Sequence, residues 1–341
     1  MAEPASPPAH QVSLRGWARR FLDSIASGKP SPHTLVAYQR DLDTIIELLA
    51  AETHCQPDLV GVDAITVTAL RGAFAAYAVR RSAATVRRTW SAWNRFCGFL
   101  LTENVIPGNP MQAVNRPKTA KTLPRSLPDE AVARLVSTLA ESTQARADDW
   151  PERDFAIIAL TLLCGLRSAE LLALDIRDHQ IHPDAVGELR IHVRGKGRKD
   201  RIVHTSPPLT ALLEDYLTTR TIRVGTTRRA SADAPVWARF KAGDPMFVNL
   251  TGQRLTQGTL QYRVQRAYRR AGIEAERTAG ALTHALRHTF ATTMARNPTI
   301  TVHTLAKMLG HESIATTQRY TEAAGTITRH AAATNPHYKL M

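Results

Sequence analysis

The segment from Thr283 to Tyr320 restricts the fold more than any other. Val302, Leu305, Met308 and Leu309 recur at the spacing of a buried helix face, and Gly310 follows at a helix-ending position that turns the chain and delivers His311. Just upstream, His284, Arg287 and His288 stand at i, i+3 and i+4, so a helix gathers them on one face. That face offers a permanent cation and imidazoles that exchange protons near neutral pH. Tyr320 lies nine residues beyond His311. Arginine, histidines and a tyrosine converging without a carboxylate cluster suit a phosphodiester better than an acyl group or a sugar.

Charge points the same way. Lys and Arg number 44 against 30 Asp and Glu, a net charge of +14, which predicts a polyanionic partner. The basic residues are dispersed and no lipidation motif accompanies them, so nucleic acid is favoured over a membrane surface. No apolar run reaches spanning length. Residues 1–10 are rich in Pro and Ala and lack a charged and an apolar region, which reads as a disordered leader and not a signal peptide. Cys55, Cys97 and Cys164 are odd in number and far apart, as expected of free thiols in a reducing cytoplasm.

The 341 residues suit two domains. Residues 11–115 carry helical patterns alone, four in succession, the fourth with Trp90, Trp93, Cys97 and Leu100 on its buried stripe. Arg87, Arg88 and Arg95 surround that stripe; any one of them reads as a solvated charge, whereas together they read as a phosphate-contacting surface. Residues 116–127, with Lys118, Lys121 and repeated prolines, form a stiff basic linker. A larger second domain follows over 128–325, then a tail over 326–341 that could dock on a neighbouring copy. Within that domain, Leu189, Ile191 and Val193 alternate as a strand, and Ile202 and Val203 begin its return. The turn between them holds Lys196, Arg198 and Lys199, but the phosphate-loop spacing is absent. Phe247–Val248 is expected to be a short strand. Thr218 to Asp244 reads as an insertion or mobile loop of no assigned purpose. The helix near Thr256 to Ala271 displays Arg263, Arg266, Arg269 and Arg270 as a basic ridge suited to groove or phosphate contact, with a solvated face as the competing view.

Gly165-Leu166-Arg167-x-x-Glu170, then His284-x-Leu286-Arg287-His288, Leu309-Gly310-His311 and Tyr320 together resemble the tyrosine site-specific recombinases, which include Xer-type enzymes and phage integrases. The resemblance runs from about residue 11 to about residue 325. It implies a mainly α fold with a small β-hairpin or sheet: an N-terminal four-helix, SAM-like core-binding domain and a C-terminal α+β catalytic domain. It implies Arg167 and Arg287 as phosphate clamps, Tyr320 as nucleophile, His311 as a phosphate hydrogen-bonder and Glu170 as support for Arg167. Lys196 becomes the general acid for the departing 5′-oxygen, with Lys199 as the fallback. His284 is the expected residue to accept or relay the Tyr320 proton, and His288 a packing or supporting residue.

The implied reaction is metal- and ATP-independent: a 3′-phosphotyrosyl link forms and a 5′-hydroxyl resolves it. No cofactor is expected. His284 and His288 have zinc-ligand spacing, but Arg287 between them repels a metal. The expected partners are double-stranded DNA and further copies in a tetramer on two sites, with a second recombinase or an excision factor as further candidates. The expected location is the cytoplasm, on the nucleoid. An inactive DNA-binding relative and a type IB topoisomerase-like enzyme are the alternatives.

Overall fold

The computed structural model describes residues 12–28, 32–118, 126–142, 149–181, 187–195, 200–274, 282–311 and 313–324. The chain divides into two compact units, Met1–Lys121 and Thr122–Met341, so the division falls inside the proline-rich basic stretch. The expected leader and tail, and Lys121, Lys196, Arg198 and Lys199, lie outside the described residues.

The first unit is built on α1 (Leu14–Ala26), α2 (Pro32–Glu52), α3 (Val67–Ala78) and α4 (Ala83–Thr102). Hydroxyl side chains start three of them: Ser13, Thr66 and Ser82 accept the amides of Gly16, Ala69 and Thr85. Each cap satisfies a donor that the helix cannot. The buried stripe of α4 is Val86, Thr89, Trp93, Phe96, Cys97 and Leu100, with Trp90 half-buried beside it. Phe21 packs on Phe96 with ring centroids 5.5 Å apart, and Trp93 meets Phe96 edge-on at the same separation. Full burial of a side chain of this size stabilises by roughly 1.5–3 kcal/mol.

In the second unit α5 (Asp129–Ala140) precedes α6 (Pro151–Cys164), the apolar helix at the centre of the core. Gly165 ends α6 in the left-handed conformation at φ 63°, and a Cβ there would lie 2.3 Å from the Phe290 ring. Only glycine permits both the turn and that approach. After α7 (Ser168–Ala173) come β1 (His179–Ile181), β2 (Leu189–Val193) and β3 (Arg201–His204). They form an antiparallel sheet in the order β1-β2-β3, with Ile191 opposite Val203. The hairpin expected from the alternation is therefore present, widened by a three-residue strand too short to leave a sequence pattern. Arg194, directly after β2, bonds Asp175 at 3.0 Å and Asp178 at 2.5 Å, which fastens one root of the basic turn.

Helix α8 (Pro207–Arg223) absorbs the first residues of the expected insertion. The rest is folded: the Thr227 and Arg228 amides donate to the Arg239 carbonyl at 3.1 and 3.0 Å, and Trp237 meets the His179 ring edge-on. Phe247–Val248 is not a strand. Val248 makes an isolated bridge to Arg254, because the chain turns at once through Gly252. Helices α9 (Gln257–Arg270), α10 (Leu282–Arg296), α11 (Val302–Leu309) and α12 (Ile314–Ala324) complete the unit. Gly310 caps α11 at φ 60°, as the sequence predicts. No described helix is long and apolar enough to cross a membrane.

Candidate active site

Glu170, 7% exposed, is the hub. Its carboxylate accepts the Arg167 amide at 2.8 Å and Arg167 Nη1 at 2.7 Å, closing the first turn of α7. From β3, Arg201 adds a two-pronged contact, Nη1 to Oε1 at 2.8 Å and Nη2 to Oε2 at 2.9 Å. Arg287 Nη1 stands 3.7 Å away. Burial pushes the Glu170 carboxyl up, but the hydrogen bonds from Arg201 and Arg167 outweigh it and hold it at about 2. Three guanidiniums thus share one carboxylate.

The same three arginines read the end of α11. Arg201 Nε donates to the Met308 carbonyl at 2.9 Å, Arg287 Nη2 to Leu309 at 2.5 Å and Arg167 Nη2 to Gly310 at 2.8 Å. These successive carbonyls are the negative end of a helix, where cations are favoured. Arg287 Nη1 also donates to the Gly165 carbonyl at 2.5 Å. The two left-handed glycine turns, at Gly165 and Gly310, are therefore bound by Arg287 and Arg167. Arg167 keeps 39% of its side chain exposed, whereas Arg287 is buried at 1%. Burial and the nearby Arg167 lower Arg287 to about 10.

Tyr320, on α12, is 4% exposed and packs in a small cluster with Phe290, Leu305 and Leu309. Its hydroxyl lies 2.6 Å from His288 Nδ1. His311 stacks on the tyrosine ring at 6.0 Å and 18°, with its own Nδ1 2.9 Å from Thr317 Oγ1. Burial raises the phenol pKa, and Arg287, Arg319 and Arg167 pull against that rise. Burial lowers His288 and His311 to about 4 with help from surrounding cations, and lowers His284 as well. All three imidazoles are therefore neutral near pH 7.

Three sequence expectations change. His284, expected to accept or relay the tyrosine proton, is not on the hydroxyl: it faces His288 edge-on at 4.3 Å, and His288 is the residue bonded to the hydroxyl, so only the relay is left to His284. Arg269 and Arg270 are exposed, but Arg263 and Arg266 do not share an outward ridge with them. Arg263 is 7% exposed, and Arg266 pairs with Asp149 through both nitrogens, because Leu260, Val264 and Ala267 turn that side of α9 into the core. Arg88 is bonded at 2.5 Å to Asp41, a carboxylate buried at 1%, so its charge serves the fold of the first unit. Arg95 lies over the Tyr38 ring at 6.0 Å, Arg87 reaches the Pro117 carbonyl, and Lys118 is exposed.

Arg201 and Arg319 are the residues that sequence reasoning missed. Arg201 looks like one more charge beside the basic turn, and the one available signal was its place two residues before Val203 on the inward side of the strand. Arg319 is exposed and its charge acts on Tyr320, His288 and His311.

An arginine cluster around a buried acid, beside a tyrosine held by imidazoles, is the layout of a phosphodiester-transferring site on this helical fold. The chain belongs to the Phage integrase family, which residues 125–326 match, and residues 18–104 match the phage integrase N-terminal SAM-like domain. Tyrosine recombinase XerC of Chromohalobacter salexigens is 31% identical over 308 residues, 90% of this chain and 91% of that one. Tyrosine recombinase XerD of Proteus mirabilis is 30% identical over 310 residues, covering 89% and 88%. Among solved structures, the XerH site-specific recombinase bound to a palindromic difH substrate in a post-cleavage complex shares the fold, with a TM-score of 0.70 at 20% identity over 98% of this chain and 99% of that one. A lambda integrase dimer bound to a COC′ core site aligns with a TM-score of 0.63 at 17% identity, covering 91% and 77%.

Proposed function

We propose that the chain is a site-specific DNA recombinase, of Xer type or a minimal phage or mobile-element integrase, that cuts and rejoins strands through Tyr320. The observation that carries this reading is the convergence of Arg167, Arg287, His311 and Tyr320, from four helices or their ends, on one acid-buttressed site. The phenolic oxygen attacks a DNA phosphorus and a 3′-phosphotyrosyl link forms. The 5′-oxygen departs, and a 5′-hydroxyl from another strand later reverses the step. Because the phosphodiester energy is retained in the link, neither ATP nor a metal enters the balance.

Arg167 and Arg287 counter the charge that builds on the nonbridging oxygens. The Arg167 guanidinium, being exposed, meets the phosphate first. His311, its Nδ1 engaged by Thr317, offers Nε2 to a phosphate oxygen. Lys196 is the proposed proton donor to the 5′-oxygen. Double-stranded DNA is the substrate, four copies act on two sites, and the cytoplasm is the place of action. Arg87, Arg95 and Lys118 are proposed to follow the DNA backbone, and the relatives being Xer recombinases leaves a second recombinase as a candidate partner.

The test incubates the full chain with sheared DNA of its source genome, denatures, isolates protein-linked fragments and sequences them. Fragments should share one short site and vanish for Tyr320→Phe. Absence of linked DNA, or linkage that survives Tyr320→Phe, overturns the proposal.

A further inference from the structure

The tyrosine hydroxyl needs somewhere to send its proton, since an unperturbed phenol ionises near pH 10 and burial in this site raises that value further. Of the three imidazoles around Tyr320, His311 has Nδ1 committed to Thr317 and meets the tyrosine ring face to face. His284 meets His288, with ring centroids 4.3 Å apart. His288 alone among them places a nitrogen on the phenolic oxygen, Nδ1 to Oη at 2.6 Å, across 32 residues of chain. That separation suits proton transfer without rearrangement.

We propose that His288 is the catalytic proton acceptor for Tyr320, with its own ring proton on Nε2 and its Nδ1 lone pair directed at the phenol. As the tyrosine oxygen bonds to phosphorus, its O–H bond breaks and an N–H bond forms at Nδ1. The bond from phosphorus to the 5′-oxygen breaks with its electron pair, and a separate donor protonates that oxygen. On rejoining, the incoming 5′-hydroxyl returns its proton to that donor as its oxygen bonds to phosphorus, the bond from phosphorus to the tyrosine oxygen breaks, and His288 gives its proton back to that oxygen. The inference rests on Tyr320 being the nucleophile.

The surroundings link this transfer to DNA. Burial first, and then His284 and the cations Arg287 and Arg319, keep the His288 imidazole neutral and its lone pair available but make it a weak base. A phosphodiester anion seated on the neighbouring guanidiniums offsets those cations and strengthens the base. The proton therefore moves once a phosphate is in place, and the tyrosine stays protonated in the free protein.

A histidine that merely packs against the tyrosine would be indifferent to the acidity of the phenol, and this separates the two roles. Full-length protein is assayed under single turnover on a nicked duplex carrying the site recovered by adduct sequencing, with tyrosine or 3-fluorotyrosine at position 320. Fluorine makes the phenol more acidic and so less dependent on an acceptor. His288→Phe should slow cleavage by about 10²–10³-fold while DNA affinity stays within about threefold. With 3-fluorotyrosine that deficit should shrink by about tenfold or more. His288→Asn, whose amide oxygen sits near the former Nδ1, should retain more activity than His288→Gln, and this pair decides the matter if the Phe variant does not fold. An equal deficit with both phenols, a rate for His288→Phe within about threefold of the parent, or Gln outperforming Asn overturns the proposal. If Tyr320→Phe still forms adducts, the nucleophile assignment is what fails.

Discussion

Two buried carboxylates of the second unit each gather arginines, and they end in opposite roles. Around Asp149, 3% exposed, Arg266 pairs through both nitrogens and Arg263 stands 3.7 Å away, with Asp154 as a second carboxylate within 3.9 Å of Arg263. Arg153 also pairs with Asp154, at 2.8 Å, so three arginines face two carboxylates there against three on one at Glu170, and the cluster knits α9 to the start of α6. Around Glu170, Arg167, Arg201 and Arg287 share a single carboxylate and spend further donors on the carbonyls of Met308, Leu309 and Gly310. Positive charge is left in excess, and Tyr320 stands within its field. The type of residue is identical in both places; the ratio of cation to anion, and what stands beside the excess, distinguishes a brace from a site for an anion.

The comparison breaks most easily at the nucleophile. Tyr320→Phe should remove covalent adduct on a nicked duplex completely while gel-shift affinity persists; a remaining adduct would place the reacting atom elsewhere. Next in size is Arg287→Lys. A lysine cannot reach the carbonyls of Gly165 and Leu309 together, so single-turnover cleavage should fall by at least about 10²-fold. A near-normal rate would show that the excess charge at Glu170 is not what serves the phosphate.

Arg201→Lys sharpens the same point without touching the phosphate clamps. Losing the two-pronged contact to Glu170 and the bond to Met308 should cost about 10-fold or more in cleavage rate, measured under single turnover at saturating DNA. At the small end, Arg266→Gln should leave cleavage within about threefold and lower stability by about 2 kcal/mol, read from urea unfolding. The reverse pattern, lost cleavage with unchanged stability, would dissolve the distinction between the clusters.

Acid adds a further contrast. Glu170 is held at about 2, below its ordinary 4.5, so its ionised form is favoured by the fold. Its contribution is fully present above about pH 4.5 and is lost as pH falls through about 2. Glu170→Gln should flatten the decline in melting temperature between those values, and an unchanged acid profile would remove Glu170 as the hub.

Much of this was legible before the fold. Helix periodicity located the helices of the first unit, and Gly310 marked the turn that carries His311. The alternation of Leu189, Ile191 and Val193 gave the hairpin. What stayed hidden depends on contacts distant in sequence. His284 and His288 share a helix face, and only the placement of α12 selects His288 for the tyrosine. Arg201 resembles its basic neighbours until Glu170, 31 residues away, is folded against it. Arg263 was misread for a different reason: it lies three residues after Leu260 and four before Ala267, an apolar-face spacing outweighed by the run of arginines on the same helix.

The central claim is that a phenol, pressed among arginines and imidazoles, takes a DNA strand end onto itself. Digesting the trapped protein–DNA adduct and sequencing the nucleotide-bearing peptide by mass spectrometry tests it most directly. The nucleotide-bearing peptide should carry its phosphodiester on Tyr320. A nucleotide on any other side chain would contradict the account.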